Sequence, residues 1–340
     1  MATLRSDIII PEVFTPYLLE QTTLRDAFLA SGVVQPMAEL NAAEDGGDFV
    51  QIPFYKANLS GDFEVLTDSS SLTPGKITAD KQVGVVLHRG RAFESRDLAA
   101  LAAGSDPMAA IGAKIADYIA NQRQKDLLAC LGGVFGAVGD TAGGAFLGLA
   151  VDGASGDTPT LLGPRQIVQA KALLGDQGEK LAAICVHPNV YYDLMERRAI
   201  DFIYDDTGAP DTGATQGSTA NAFGQPQVPT FMGLRVIISA DVQSAGASPN
   251  KEYVSYLFTQ GAIASGEQLG LQTETDRDIL AKSDALSIDL HYVYHPVGSK
   301  FSSAVSNPTR AQLQTVGNWT KVYETNNIGI VRITSTSNLD

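Results

Sequence analysis

The residues most able to do chemistry in this chain are four histidines, His88, His187, His291 and His295, and two cysteines, Cys130 and Cys185. Their spacing decides which reactions are open. His291 and His295 stand four apart in the run Leu-His-Tyr-Val-Tyr-His-Pro. On a helix such a pair could chelate a metal, but Pro296 and the aromatic and β-branched neighbours disfavour a helix. Along a strand they lie about 13 Å apart, too far to share an ion. They are therefore expected to be structural, hydrogen-bonded histidines. Each cysteine sits inside an apolar run, and two cannot build a disulfide framework or a cysteine zinc site; buried, reduced thiols are expected. Ser155, in Asp-Gly-Ala-Ser-Gly, lacks the spacing of a nucleophile elbow. No phosphate-binding Gly-x4-Gly-Lys-Ser/Thr loop occurs. Gly133, Gly136 and Gly139 form Gly-x-x-Gly-x-x-Gly after a helix, the wrong side for a dinucleotide fingerprint. The acidic run with Glu274, Asp276, Asp278 and Asp284 lacks the central glycine and closing glutamate of a calcium loop. No catalytic, cofactor-binding or metal-ligating residues are expected, and an α/β enzyme with an unrecognised site is a distant alternative.

The elements that would position any site are clearer. Residues 106–131 predict the longest helix: Ser105 or Asp106 caps it, Pro107 suits its first position, and Ile111, Ile115, Tyr118, Ile119, Leu127, Leu128 and Leu131 keep helical spacing. Gly132-Gly133 is expected to stop it. Its polar face carries Lys114, Asp117, Arg123, Gln124, Lys125 and Asp126, a locally positive balance. The sequence DFVQIPFY reads as a strand that Pro53 demotes to a sheet edge. A polar stretch and a strand from Gln82 to His88 complete an extended hairpin, and loops of that length are usually functional. A second ribbon runs from Leu269 to Tyr294. Between them, a helix from Pro164 to Leu174, a strand from Leu181 to Val186 and a helix from Pro188 to Arg198 have an α/β character, with His187 and Asn189 at the start of the last.

Composition narrows the class of function. The 340 residues include 24 Lys and Arg against 38 Asp and Glu, a formal charge of −14. A dedicated nucleic-acid binder needs a basic surface, so that class is disfavoured. Residues 201–290 hold 12 acids and 4 bases, a bias expected of a solvated surface. No apolar stretch approaches the roughly 20 residues of a membrane span, and the start MATLRSDIIIPE does not read as a signal peptide. An apolar arm with no domain of its own, a long hairpin and a long ribbon would leave a monomer with uncovered apolar patches and strand edges. These features predict an assembly subunit.

The order of elements, and the strings IIIPEVFTPYLLEQT, VVLHRGRAFESRDLAALAAGSDPMAAI, RDILAKSDALSIDLHYVYHPVGSKF and NPTRAQLQTVGNWTKVYETNNIGIV, resemble the major capsid proteins of tailed double-stranded-DNA bacteriophages. The resemblance runs the length of the chain. It implies an α+β fold of the tailed-phage major capsid type: an N-terminal arm at 1–46 and an extended hairpin loop at 47–92. A peripheral domain at 93–135 and 262–295 would carry the spine helix 106–131, and an axial domain would take 136–261 and 296–340. It further implies hexamers and pentamers of the chain closing into an icosahedral shell around the genome. Expected partners are a separate scaffolding protein, a portal and a decoration protein, with packaged DNA contacted weakly and no membrane. Assembly would occur in the host bacterial cytoplasm and the product would be the virion. Arg5, Arg25, Lys114, Arg123 and Lys125 are the basic residues expected on the inner face. The alternative within the same fold is a non-viral nanocompartment shell, similar to encapsulins, around a cargo enzyme.

Overall fold

The protein's structure, a computed structural model, describes residues 28, 31–41, 47–56, 63–64, 75–97, 107–137, 144–152, 160–197, 199–203, 228–246 and 251–339. In chain order, β1 (Val34–Pro36) and a single-turn helix α1 (Ala38–Asn41) precede β2 (Phe49–Tyr55), β3 (Ala79–Val85) and β4 (Leu87–Arg96). The long helix α2 (Pro107–Phe135) follows. Next come β5 (Ala150–Asp152), α3 (Pro164–Leu173), β6 (Leu181–Val186), α4 (Pro188–Glu196) and β7 (Asp201–Ile203). They lead to β8 (Val228–Phe231), β9 (Leu234–Ile238), β10 (Ser244–Ala245) and β11 (Glu252–Thr259). The chain then forms β12 (Ile263–Asp278), β13 (Ser283–Pro296) and β14 (Ser299–Phe301). It finishes with α5 (Arg310–Gln314), β15 (Trp319–Lys321) and β16 (Ile330–Thr336). The described residues form two units, one within Met1–Gly148 and Gly261–Gly329, the other within Leu149–Gln260 and Ile330–Asp340. The sequence reading placed all of 296–340 with 136–261. Residues 296–329 instead join the first unit, because β14 pairs with β3 and α5 packs on α2.

In the first unit α2 lies on a sheet of order β1-β12-β13-β4. Ile115, Ala116 and Ile119 pack against Leu271, Leu286 and Ile288, the stripe that a 3.6-residue period buries. The helix runs four residues beyond its expected end, to Phe135, and is about 44 Å long at 1.5 Å per residue. Gly132-Gly133 does not stop it. An added Cβ at Gly133 would meet the Leu313 carbonyl oxygen at 1.9 Å and Trp319 Nε1 at 2.4 Å, so the glycine serves close packing rather than termination. Termination falls to Gly136, at φ 89°, whose N–H bonds back to the Gly132 carbonyl.

The ribbon β12–β13 pairs from Ile263↔Pro296 to Asp278↔Ser283 and is buried at its root but exposed toward its tip. A second sheet has the order β15-β14-β3-β2. β2 is its edge strand, as Pro53 requires, since proline can donate nothing to a further neighbour. The expected single strand Gln82–His88 divides at Val86. Val85, Val86 and Leu87 are consecutively buried, which breaks the two-residue alternation of one sheet and passes the chain to the next. Of the arm, Phe28 and Leu40 are fully buried and β1 adds in parallel to β12; residues 1–27 lie outside the described residues.

The second unit is built on a sheet of order β5-β16-β11-β6-β9-β8-β7, with β10 on β11. The parallel pair β6–β9 and the flanking helices give the α/β character expected. Ile184, Cys185, Leu257, Phe258, Val331 and Ile333 form its floor, all fully buried. His187 caps α4 by accepting the Asn189 N–H on Nδ1 at 3.2 Å. Cys130, in the first unit, and Cys185, here, are buried thiols that burial holds well above their ordinary pKa.

Candidate assembly surface

The densest polar site of the first unit is built on one carboxylate. Asp126 falls seven residues after Ile119, on the apolar face of α2, and its side chain is 1% exposed. Burying that charge requires partners. Oδ2 accepts from Arg89 Nε at 3.1 Å and from the Tyr292 hydroxyl at 2.7 Å, and Oδ1 accepts from Arg310 Nε at 2.7 Å. Arg89 also donates to Asn307 Oδ1 and the Pro308 carbonyl, and Arg310 to Gln122 Oε1. One buried charge thus ties α2 to β4, β13 and α5. Burial, and then the neighbouring Asp126 charge, push the Tyr292 hydroxyl far above its ordinary pKa, so it stays a donor.

Beside this hub, residues of β4, β13, α2 and α5 line a small open pocket; Leu290 is the half-buried apolar residue on its wall, next to Ile119 and Ile288, which are buried in the core beneath α2. Its rim is arginine-rich. Arg123 bonds Tyr294 through Nε at 2.9 Å, pairs with Glu267 at 3.1 Å and lies over the Tyr292 and Tyr294 rings. Arg91 is exposed and pairs with no carboxylate among the described residues.

At the root of the hairpin, buried Gln82 accepts on Oε1 from the Gly298 N–H at 2.9 Å and from His295 Nε2 at 3.0 Å, and it donates to the Tyr323 hydroxyl. The amide oxygen fixes the proton on Nε2 of His295, which leaves Nδ1 without a partner among the described residues. Burial lowers the His295 pKa to about 4. His291 is directed elsewhere: its ring meets His88 edge-on at 4.3 Å, and burial and that neighbour lower its pKa. The two histidines thus do not converge, and among the described residues no group of three metal-ligating side chains forms a site.

The ribbon tip is the opposite kind of surface. Ile279 and Leu280 are 81% and 97% exposed. The turn that presents them is fixed: Asp278 Oδ1 accepts the Leu280 and Ala281 N–H groups at 2.8 and 3.0 Å, bonds that hold its carboxyl below the usual range. Arg277 forks onto both oxygens of Asp284 and onto Asp97. Of the basic residues singled out from sequence, Lys114 is exposed, Lys125 is half-buried and Arg123 belongs to the pocket, while Arg5 and Arg25 lie outside the described residues. Sequence reasoning missed Arg89, Arg91 and Arg310. The sequence reading sets Asp126 on the polar face of the helix; the structure buries it, seven residues after Ile119, where an acid demands cations from elsewhere in the chain.

Among the described residues no helix is long and apolar enough to cross a membrane. A sequence model of the family described as phage capsid protein matches residues 80–307. The major capsid protein of Bacillus phage SPP1 is 35% identical over 336 residues, 96% of each chain. The capsid of cyanophage Pam1 superimposes with a TM-score of 0.57 at 13% identity, covering 93% of each chain. The capsid of Ralstonia phage GP4 does so with a TM-score of 0.55 at 9% identity, covering 90% of this chain and 87% of that one. At such identities these structures speak to the fold, which they share; the family match and the 35% identical relative speak to descent, and by them this chain belongs to the phage capsid protein family.

Proposed function

We propose that this chain is the major capsid protein of a tailed bacteriophage, the structural subunit whose copies close into the shell around the double-stranded DNA genome. The observation that carries the reading is the 35% identity to a major capsid protein across 96% of both chains. The energetics are those of multivalent assembly, in which many modest interfaces per subunit become cooperative once neighbours are present. Hexamers and pentamers would use the same chain. In this reading the unit within Leu149–Gln260 and Ile330–Asp340 is the axial domain that packs about the capsomer centre. The unit holding α2 and the ribbon is the peripheral domain, and the β2–β3 hairpin is the extended loop. Lys114, exposed on α2, is the described basic residue best placed to meet DNA on the inner face, together with Lys125, Arg5 and Arg25. A scaffolding protein, a portal and a decoration protein complete the partner set, assembly takes place in the bacterial cytoplasm, and the role is structural rather than catalytic.

The test is sedimentation and negative-stain microscopy of the chain expressed alone and with its neighbouring genes. Shells, tubes or capsomers are expected. Protein cargo in place of DNA would move the reading to a nanocompartment, and a stable monomer under both conditions would overturn it.

A further inference from the structure

Two surfaces of the first unit are chemically complementary, and neither can satisfy the other within one chain. The pocket beside Asp126 has an apolar wall and a rim of Arg89, Arg91, Arg123 and Arg310. Asp126 pairs with Arg89 and Arg310 and Glu267 with Arg123, while Arg91 pairs with no carboxylate among the described residues, so the rim offers an exposed cation inside a chain of formal charge −14. The ribbon tip offers the converse. Ile279 and Leu280 stand almost fully in solvent, and Glu274, Asp276, Asp278 and Asp284 outnumber Arg277 and Lys282 around them. The turn is pre-organised by Asp278 and Arg277, so presenting the two aliphatic side chains to a partner costs little ordering entropy.

The tip cannot fold back into its own pocket. β13 is continuously paired with β4 from Ser283 to Tyr292, and the seven steps of strand from Ser283 to Leu290 span about 23 Å. We propose that the ribbon tip of one copy seats in the arginine-rimmed pocket of the next. Ile279 and Leu280 meet the apolar wall, and the tip carboxylates meet the rim, Arg91 foremost because it is exposed and unpaired among the described residues. The occupant is a second copy of this chain; a nucleic-acid phosphate would use the arginines but leave the apolar wall without a purpose. The contact joins two different patches, so it is head-to-tail, the kind that propagates into rings when the rotation closes. The inference rests on the assembly reading above and names which surfaces meet.

Cross-linking in assembled shells tests it. A chain carrying Arg91→Cys and Leu280→Cys, treated with a short bifunctional maleimide, is expected to give covalent dimers and higher ladders in shells and none as dilute subunits; the native cysteines are buried and silent. Arg91→Glu and Leu280→Lys are each expected to raise the chain concentration needed for assembly about tenfold or more. Arg91→Glu combined with Asp276→Lys in one chain exchanges the signs across the contact and should recover much of the loss caused by Arg91→Glu alone, which a purely structural role for Arg91 would not do. Shells of the double-cysteine chain that give no ladder, together with assembly that Leu280→Lys leaves unchanged, overturn the inference while leaving the assembly reading intact. Loss of retained DNA from Arg91→Glu shells, with no ladder from the double-cysteine chain, would assign the pocket to nucleic acid and overturn it as well. Failure of the wild-type chain to assemble, both alone and with its neighbouring genes, removes both readings together.

Discussion

The β11–β16 pair and the β12–β13 ribbon are both long antiparallel pairings of one chain, yet they solve opposite problems. β11 and β16 lie inside a sheet, between β5 and β6, and all seven residues of β16 are buried. Their apolar runs, VSYLF and IVRIT, are covered within the chain. β12 begins the same way, with Ile263 and Ala264 buried, but its last five residues are exposed although every backbone partner is present on β13. Backbone pairing alone carries the ribbon beyond its core. The lesson is that ladder hydrogen bonds extend an element, while side-chain burial decides what the element contributes to stability. The exposed end contributes little to its own unit and is available for contact with another copy.

The sharpest way to break this comparison is at the ribbon's root. Asp126→Ala leaves Arg89, Arg310 and Tyr292 without their common acceptor, and is expected to cost about 4 kcal/mol, given that the two arginines are partly solvated. Urea unfolding followed by circular dichroism measures it; a loss below about 1 kcal/mol would mean the hub is dispensable. Leu257→Ala, at a fully buried position of β11, should cost about 3 kcal/mol in the other unit.

Acid sharpens the contrast further. His295 is neutral at the root of the ribbon, with a folded pKa of about 4 against 6.5 for the unfolded group. A lowered pKa means the unfolded chain takes up the proton first. The stability is fully present above pH 6.5 and is lost as pH falls toward 4, by about 3 kcal/mol in all. Hydrogen exchange at pH 7 and pH 4.5 should show the Gln82–His295 region loosening, and His295→Gln should flatten that dependence. An equal response in the variant would remove His295 as the cause. The smallest effect is expected at the tip, where Leu280→Ala should change thermal stability by less than about 0.5 kcal/mol. A larger loss would show that the tip packs within its own chain.

Much of the fold was legible because it rests on local pattern. The stripe Ile111, Ile115 and Ile119 makes a helix, Pro53 makes an edge strand, and the alternation around Leu290 makes the histidines 291 and 295 strand residues in separate environments. Errors arose where one residue type carries two meanings. Gly132-Gly133 reads as a stop, but Gly133 is where Trp319 and Leu313 approach α2, and no local rule distinguishes a terminator from a contact 180 residues away. The grouping of 296–329 with the first unit was illegible for the same reason: β14 and α5 are short and weakly patterned, and their neighbours β3 and α2 lie more than 170 residues upstream.

The sequence by itself determined the acidic character of the chain, the presence of its long helix and ribbons, the absence of recognised catalytic motifs and, through collinear strings, its kinship. These follow from residue identity and from periodicity over a few turns. Only the tertiary structure decided that Asp126 gathers arginines from β4 and α5, that His295 bonds Gln82 while His291 meets His88, and that the aliphatic tip and the basic pocket are held out of each other's reach. Those depend on register and on long-range pairing, which bring together residues whose separation along the chain carries no signal.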